Sequence, residues 1–328
     1  MKVVIPMAGY GTRLRPHTYS RPKPLVNVAG QPLIKHVIDS LDELEIDEYI
    51  FIVGYLGDQI EAYIRDNHDI KAHFVVQEEM LGQSHAIHLA KEYLQGPAVV
   101  LFSDTIFKAD LSPIQDTDKD GVIYAMEVDD PSSFGVIVVN DDGIITDFIE
   151  KPDTDKHRSA VVGLYYLRES ERLIAAIEEQ IESDKQTKGE YYIADAFQIM
   201  IDDGARLISA PVEFWLDCGK PDTLLATNRF LLENGAATNG EHKGSGTTII
   251  SPVHIHPDAV IENAIIGPHA TISAGCHISN SVIRNSIINE GARVQNVMLS
   301  QSLVGQDASV SGHFKTLNVG DKSSIDFD

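Results

Sequence analysis

No acidic residue occurs before Asp39, although acids outnumber bases 49 to 26 over the 328 residues and leave a formal net charge of -23. An even spread (49 × 38/328) would put about 6 acids in those first 38 positions. Cysteine is scarce as well. Cys218 and Cys276 are too few for a disulfide framework. The apolar opening is short and breaks at Gly9, unlike a secretory leader, so a cytoplasmic, reduced protein is expected. No apolar run approaches the roughly 18 residues of a membrane-crossing helix. The shortage of basic side chains argues against nucleic acid or an anionic membrane as a partner, because both need a cationic surface. What is present is an ordinary globular composition, 43% hydrophobic and 23% charged, in a chain long enough for two domains. Against that acidic background the opening stretch, with Lys2, Arg13, Arg15, Arg21, Lys23 and Lys35 as its bases, stands out as a place for an anionic ligand.

The first part of the chain alternates short apolar strands (3–6, 48–55, 71–77, 97–104) with segments of helical spacing (32–46, 58–67, 84–94). This predicts an α/β fold: a Rossmann-like, mostly parallel sheet with helices on both faces and ligands beyond the carboxyl ends of the strands. Residues 121–167 read as strands and turns. Helices are predicted at 169–183, 193–204 and 221–235, with Gly204 as a C-cap.

Composition then shifts. GAATNGEHKGSGT (235–247) is small, polar and glycine-rich, and reads as a linker. Beyond it aliphatic residues recur every five or six positions, from Ile255, Ile261 and Ile266 through Val304 to Val310. That period fits neither a helix nor a two-faced strand, and it predicts a parallel β-helix in which each short strand points one aliphatic inward. The pattern resembles the left-handed β-helix of hexapeptide-repeat proteins. The expected organisation is a first domain over 1–234, a linker over 235–248 and a short left-handed β-helix over 249–328. His254 and His256 share a strand face without further metal ligands and read as solvated, whereas Cys218 reads as packed.

GYGTRLRP (9–16) directly follows a strand. Glycines allow a tight turn that presents backbone N–H groups, and Arg13 adds a charged fork, a combination suited to phosphate. The spacing is neither the dinucleotide fingerprint nor a P-loop. Taken singly, Lys23 between two prolines reads as a solvated charge, Asp104 as a helix N-cap, Asp217 as a turn residue, and Lys151 as a partner of Glu150.

The longer string, G-x-G-T-R-L-x-P, then P-K-P-L-V, then G-x-P-L-I, resembles the sugar-1-phosphate nucleotidyltransferase family. The resemblance runs through about residue 233, with Gln77 and Gly82, VLFSDT ending at Asp104 and Thr105, FGVI (134–137), FIEKP (148–152), GLYYL (163–167) and WLDCGKPDTLL (215–225) in order. It departs from the family pattern at Met7, Ser103 and Gln83. The resemblance implies an enzyme that joins a nucleoside triphosphate to a sugar 1-phosphate and releases pyrophosphate. It implies a triphosphate cradle at Ala8, Gly9, Gly11, Thr12 and Arg13, with Lys23 at the reacting phosphate. It assigns base reading to Gln77 and Gly82, Mg²⁺ to Asp104 and Asp217, sugar contacts to Gly135, Glu150 and Gly163, and the sugar phosphate to Lys151. Arg13, Lys23, Asp104 and Asp217 are thereby the expected catalytic residues.

A glutamine that offers both donor and acceptor, as the family uses with uracil or thymine, suggests dTTP or UTP with glucose 1-phosphate. The alternatives are a guanylyltransferase acting on mannose 1-phosphate, a bifunctional enzyme whose tail is an acetyltransferase, and a catalytically silent regulatory subunit. Stacked coils with flat faces suggest that the tail assembles a homo-oligomer.

Overall fold

The computed structural model describes residues 1–313, 319–320 and 323–324. The chain divides into two compact units. One comprises Met1–Val26 and Gln31–Leu224, the other Asn27–Gly30 and Leu225–Asp328.

The larger unit is built on a nine-stranded mixed sheet. Lys2–Pro6 lies between Glu48–Val53 and Ala98–Leu101 and is parallel to both, and Ala72–Val76 continues the parallel part beyond Glu48–Val53. On the other side Ser159–Leu167 pairs antiparallel with Ala98–Leu101 and with Gly121–Glu127. The hairpin Gly135–Val139/Ile145–Glu150 joins the first part of that long strand through Ala160, and Leu207–Pro211 runs parallel to Gly121–Glu127. Alternation along the first strand explains the layers. Val3 and Ile5 face one core with Ile34 and Val37 of helix Leu33–Asp39 and Ile60 and Ile64 of helix Gly57–Asn67. Val4 faces a second core with Ala86 and Ile87, Leu173 and Ile177 of helix Ser170–Glu182, and Phe197 of helix Ile193–Asp202. Gly204, at φ +82°, follows the last of these helices, as its predicted capping role requires.

Three parallel strands therefore end near one another, at Pro6, Val53 and Leu101. The loops that leave these ends carry the candidate site. The predicted strand 97–104 stops at Leu101. After a turn the chain re-enters a strand at Thr105–Lys108, which pairs with Phe214–Asp217 in a separate two-stranded sheet.

The second unit is a stack of short parallel strands in three four-stranded sheets, the architecture of a left-handed β-helix. Thr248, Ile265, Val282 and Met298 stand in register, 17, 17 and 16 residues apart by number, so each coil is three short strands and three turns. Ile255, Ile261, Ile266, Ile272, Ile278, Ile283 and Ile288 are each no more than 2% exposed, which is what the aliphatic period predicted. One corner of the stack is turned by Asn263, Asn280 and Asn296, all at positive φ (50°, 47° and 56°). Asparagine tolerates this conformation, and the Asn280 amide donates to Asn296 Oδ1 at 3.2 Å.

The backbone of the stretch read as a linker is hydrogen-bonded to the next coil. Thr238, Lys243 and Thr248 donate to the carbonyls of Val253, Ala259 and Ala264, each at 2.8 Å. The same unit takes in the turn Asn27–Gly30. Ala29 N–H donates to Asn228 Oδ1 at 2.9 Å, and a Cβ on Gly30 would come within 2.1 Å of the His254 ring. His254 is thus packed rather than solvated, and burial lowers its pKa. Cys218 is fully buried, as expected. The part of the expected β-helix at 314–318, 321–322 and 325–328 lies outside the described residues. No helix among the described residues is long and apolar enough to cross a membrane.

Candidate active site

The loop after the first strand is fixed at both ends. Met7 N–H donates to the Ile52 carbonyl at 2.8 Å, and Leu14 N–H closes a one-turn 3₁₀ helix, Thr12–Leu14, on the Gly11 carbonyl at 3.0 Å. Gly11 caps that turn in the left-handed region, at φ 60°, where a Cβ would press on Lys23 and Thr18 at 3.1 Å. The glycine thus lets the loop lie close against the segment carrying Lys23.

A cavity of about 370 Å³ opens beside this loop. Ala8, Gly9, Gly11, Thr12, Arg13, Lys23, Gln77, Gly82 and Asp104 all line it. Met7, Ser103 and Gln83, the three departures from the family pattern, also face it. Nine of the expected site residues are thereby gathered in one place from four separate loops.

On the cavity lining Lys23 Nζ donates to Asp104 Oδ2 at 2.6 Å. Burial pushes the Asp104 carboxyl upward, but the bonded Lys23 ammonium and then Arg13 outweigh it and hold the group below the ordinary carboxylate range. Lys23 is therefore not a solvated charge, and Asp104 caps no helix. Asp217 does not line the cavity but is close to it. It stands directly opposite Thr105 in the two-stranded sheet, one residue from Asp104. A Cβ on Gly219 would meet both Arg13 Nη2, at 2.8 Å, and Asp217 Oδ1, at 2.9 Å. Arg13 thus reaches toward both carboxylates. Asp217 also accepts the Gly219 N–H at 2.9 Å, in keeping with its reading as a turn residue.

The remaining four expected residues lie outside the cavity. Gly135 faces Glu150 across the hairpin, where a Cβ would come within 3.1 Å of Glu150 Oε2. Gly163 packs on Phe102, which lines the cavity. Lys151 Nζ lies 3.5 Å from Glu150 Oε1, donates to the Tyr192 hydroxyl at 2.5 Å and sits 4.2 Å from the centre of the Tyr192 ring. Burial raises the Glu150 pKa, and Lys151 only partly opposes it. Burial lowers the Lys151 pKa, but the tyrosine and Glu150 outweigh it and leave the ammonium above its usual range.

Three contributors were missed in the sequence: Tyr192, Glu190 and Tyr191. Glu190 lines the cavity. Gly82, at φ 116°, lies against Tyr191, whose backbone N and O would each be 2.6 Å from a Cβ there. The glycine at 82 is thus required by the approach of Tyr191. The signal was the E-Y-Y run just before the helix at 193, which periodicity alone reads as flank.

Among the described residues no three or more His, Cys, Asp or Glu side chains form a metal cage. Two carboxylates, Asp104 held ionised on the cavity lining and Asp217 opposite the next residue, nevertheless suit a hard cation that takes its remaining ligands from substrate phosphates and water, as Mg²⁺ does. Asp104 and Asp217 fit that ion.

A mostly parallel sheet that carries a glycine–arginine loop at the end of one strand, with a lysine–aspartate pair lining the same cavity, is suited to a phosphate-bearing ligand. Residues 2–234 match the nucleotidyl transferase family, and the chain belongs to that family, in its sugar-1-phosphate branch. It is 31% identical to the low-salt glycan biosynthesis nucleotidyltransferase Agl11 of Haloferax volcanii, with 99% of each chain covered. It is 30% identical to the bifunctional protein GlmU of Methanococcus maripaludis, over 97% of this chain and 81% of that one. It is 28% identical to a glucose-1-phosphate thymidylyltransferase of Streptomyces antibioticus, with 99% of each covered. A solved UDP-glucose pyrophosphorylase, complexed with UDP-glucose, shares the fold at a TM-score of 0.64 and 23% identity, over 71% of this chain and 98% of that one.

Proposed function

We propose that the protein transfers a nucleotidyl group from a pyrimidine nucleoside triphosphate, dTTP or UTP, to glucose 1-phosphate and releases pyrophosphate. The observation that carries this reading is the single cavity in which the 8–13 loop, Lys23, Gln77, Gly82 and Asp104 meet. An oxygen of the sugar phosphate attacks the α-phosphorus, the α–β phosphoanhydride bond breaks, and pyrophosphate leaves with the electron pair. No covalent nucleophile is needed. The obstacle is repulsion between two polyanions, and the protein opposes it with fixed positive charge and dipoles. Backbone N–H groups of the loop and Arg13 take the triphosphate. Lys23 stands at the reacting phosphorus, and Lys151 takes the phosphate of the sugar. The absence of acids from the opening stretch follows, since a carboxylate facing the triphosphate would weaken binding. Asp104 and Asp217 are the exceptions that hold Mg²⁺, and the ion when bound supplies charge neutralisation on the phosphates. Until a phosphate arrives, Lys23 keeps Asp104 ionised.

Glu150 and the backbone at Gly135 and Gly163 serve the sugar hydroxyls. Gln77 and Gly82 serve the base, and the thymidylyltransferase relative supports a pyrimidine there. The two buried, free thiols support a cytoplasmic setting. Ile265 and Met298, 40% and 79% exposed on one face of the β-helix, support its use in assembling a homo-oligomer; loss of assembly on truncation after Glu233 is the check.

A pyrophosphate-release assay across dTTP, UTP, GTP and ATP with glucose and mannose 1-phosphates tests the substrate assignment. Turnover greatest with dTTP or UTP and glucose 1-phosphate is expected. Preference for GTP with mannose 1-phosphate would overturn it.

A further inference from the structure

Gln77 is 5% exposed and lines the cavity. Its amide makes two contacts on the protein side. Nε2 lies 3.3 Å from the Gly82 carbonyl oxygen and 3.2 Å from His85 Nδ1. A carbonyl oxygen can only accept, so the amide must turn its NH₂ toward Gly82. The second N–H of that NH₂ then points at His85, and it is satisfied only if Nδ1 carries no proton. The imidazole is accordingly the neutral tautomer with its proton on Nε2. Burial, with His88 adding to it, lowers the pKa of His85 and favours that neutral form against Glu79, which works the other way.

Both amide protons are therefore used by the protein, and the atom left for a ligand is Oε1, which can only accept. We infer that His85 is a specificity-positioning residue: it locks the Gln77 amide with its oxygen toward the base, so that the site takes uracil or thymine and rejects cytosine. The N3–H of uracil or thymine donates to such an oxygen. Cytosine presents a lone pair at N3, and two acceptors then face each other at a residue only 5% exposed, a mismatch polar sites reject strongly. His85 itself does not line the cavity. It acts through Gln77, whose own orientation would otherwise depend on the Gly82 contact alone.

This inference rests on the reading of Gln77 as the base contact, and the test separates the two. The ratio of kcat/KM for UTP over CTP is measured with glucose 1-phosphate for the unaltered protein and four variants. His85→Leu removes the acceptor, and the ratio is expected to fall at least tenfold, through a raised KM for UTP with kcat little changed. His85→Asn keeps an acceptor oxygen near the position of Nδ1 and should restore most of the ratio. His85→Gln puts its amide near the Nε2 position and should not, and it serves in place of His85→Leu should that variant fail to fold. Gln77→Leu should abolish the preference altogether. If Gln77→Leu abolishes it while His85→Leu and His85→Gln keep it, the locking role of His85 is overturned and the base contact stands. If Gln77→Leu leaves it unchanged, the base contact itself is overturned.

Discussion

Two lysine–carboxylate pairs lie at the two ends of the proposed site, and they differ in which force wins. At the nucleotide end Lys23 and Asp104 are 2.6 Å apart, and at the sugar end Lys151 and Glu150 are 3.5 Å apart. Burial acts first on both carboxyls and pushes both pKa values up. At Asp104 a short, direct bond to Lys23 with Arg13 behind it overcomes burial, and the carboxyl stays below its usual range. At Glu150 the lysine is longer-ranged and shared with the Tyr192 hydroxyl, so burial wins and the carboxyl is raised. Similar side chains thus give a firmly ionised group at the proposed cation ligand and a less ionised one at the proposed sugar contact.

The sharpest way to break this contrast is at Asp104. Asp104→Asn removes the carboxylate that bonds Lys23 and is proposed to hold the cation, and kcat should fall by about 10³-fold, the upper range for deleting one preorganised charge-stabilising group. Pyrophosphate release at saturating substrates measures it. Lys151→Met should act on the other end only. A loss of about 10²-fold in kcat/KM for the sugar phosphate is expected, with the KM of the triphosphate unchanged. Gly219→Ala is a gentler probe of the first end. Its methyl would press Arg13 and Asp217 from 2.8 and 2.9 Å, and a displacement of a few tenths of an ångström should cost about tenfold in kcat.

The smallest effect concerns stability. Between the unfolded and the raised folded pKa of Glu150 the native state binds more protons than the unfolded chain, so stability falls as pH rises through that window. Glu150→Gln removes the penalty. Its Tm should therefore exceed wild type at pH 7, by about 2–4 °C per kcal/mol recovered, and approach it near pH 4, where the Glu150 carboxyl is mostly protonated in the folded and the unfolded chain alike. Sugar-phosphate affinity should drop at the same time. A pH-independent Tm difference would show that burial does not govern Glu150.

What could be read in advance follows the range of the interactions. The β-helix was legible because every coil repeats the same local demand, an inward aliphatic, and Ile261, Ile266 and Ile278 meet it. The loop at 8–13 and the pair Gln77–Gly82 were legible because the motif carries them, and they gather in one cavity. Contacts between segments distant in sequence were not. Asn27–Gly30 reads as a turn between a loop and a helix, and nothing local says that Ala29 bonds to Asn228. The stretch 235–248 looks like a linker by composition, yet its small residues are the first backbone hydrogen-bonded onto the helical stack. Tyr192 was invisible for the same reason, because its partner Lys151 lies 41 residues away.

In the proposed mechanism two carboxylates and their cationic neighbours let two anions approach. The most direct test is the Mg²⁺ dependence of pyrophosphate release by Asp217→Asn against wild type. The concentration of Mg²⁺ at half-maximal rate should rise at least tenfold in the variant, with metal-free binding of the triphosphate unchanged. An identical Mg²⁺ requirement in the two proteins would contradict the account.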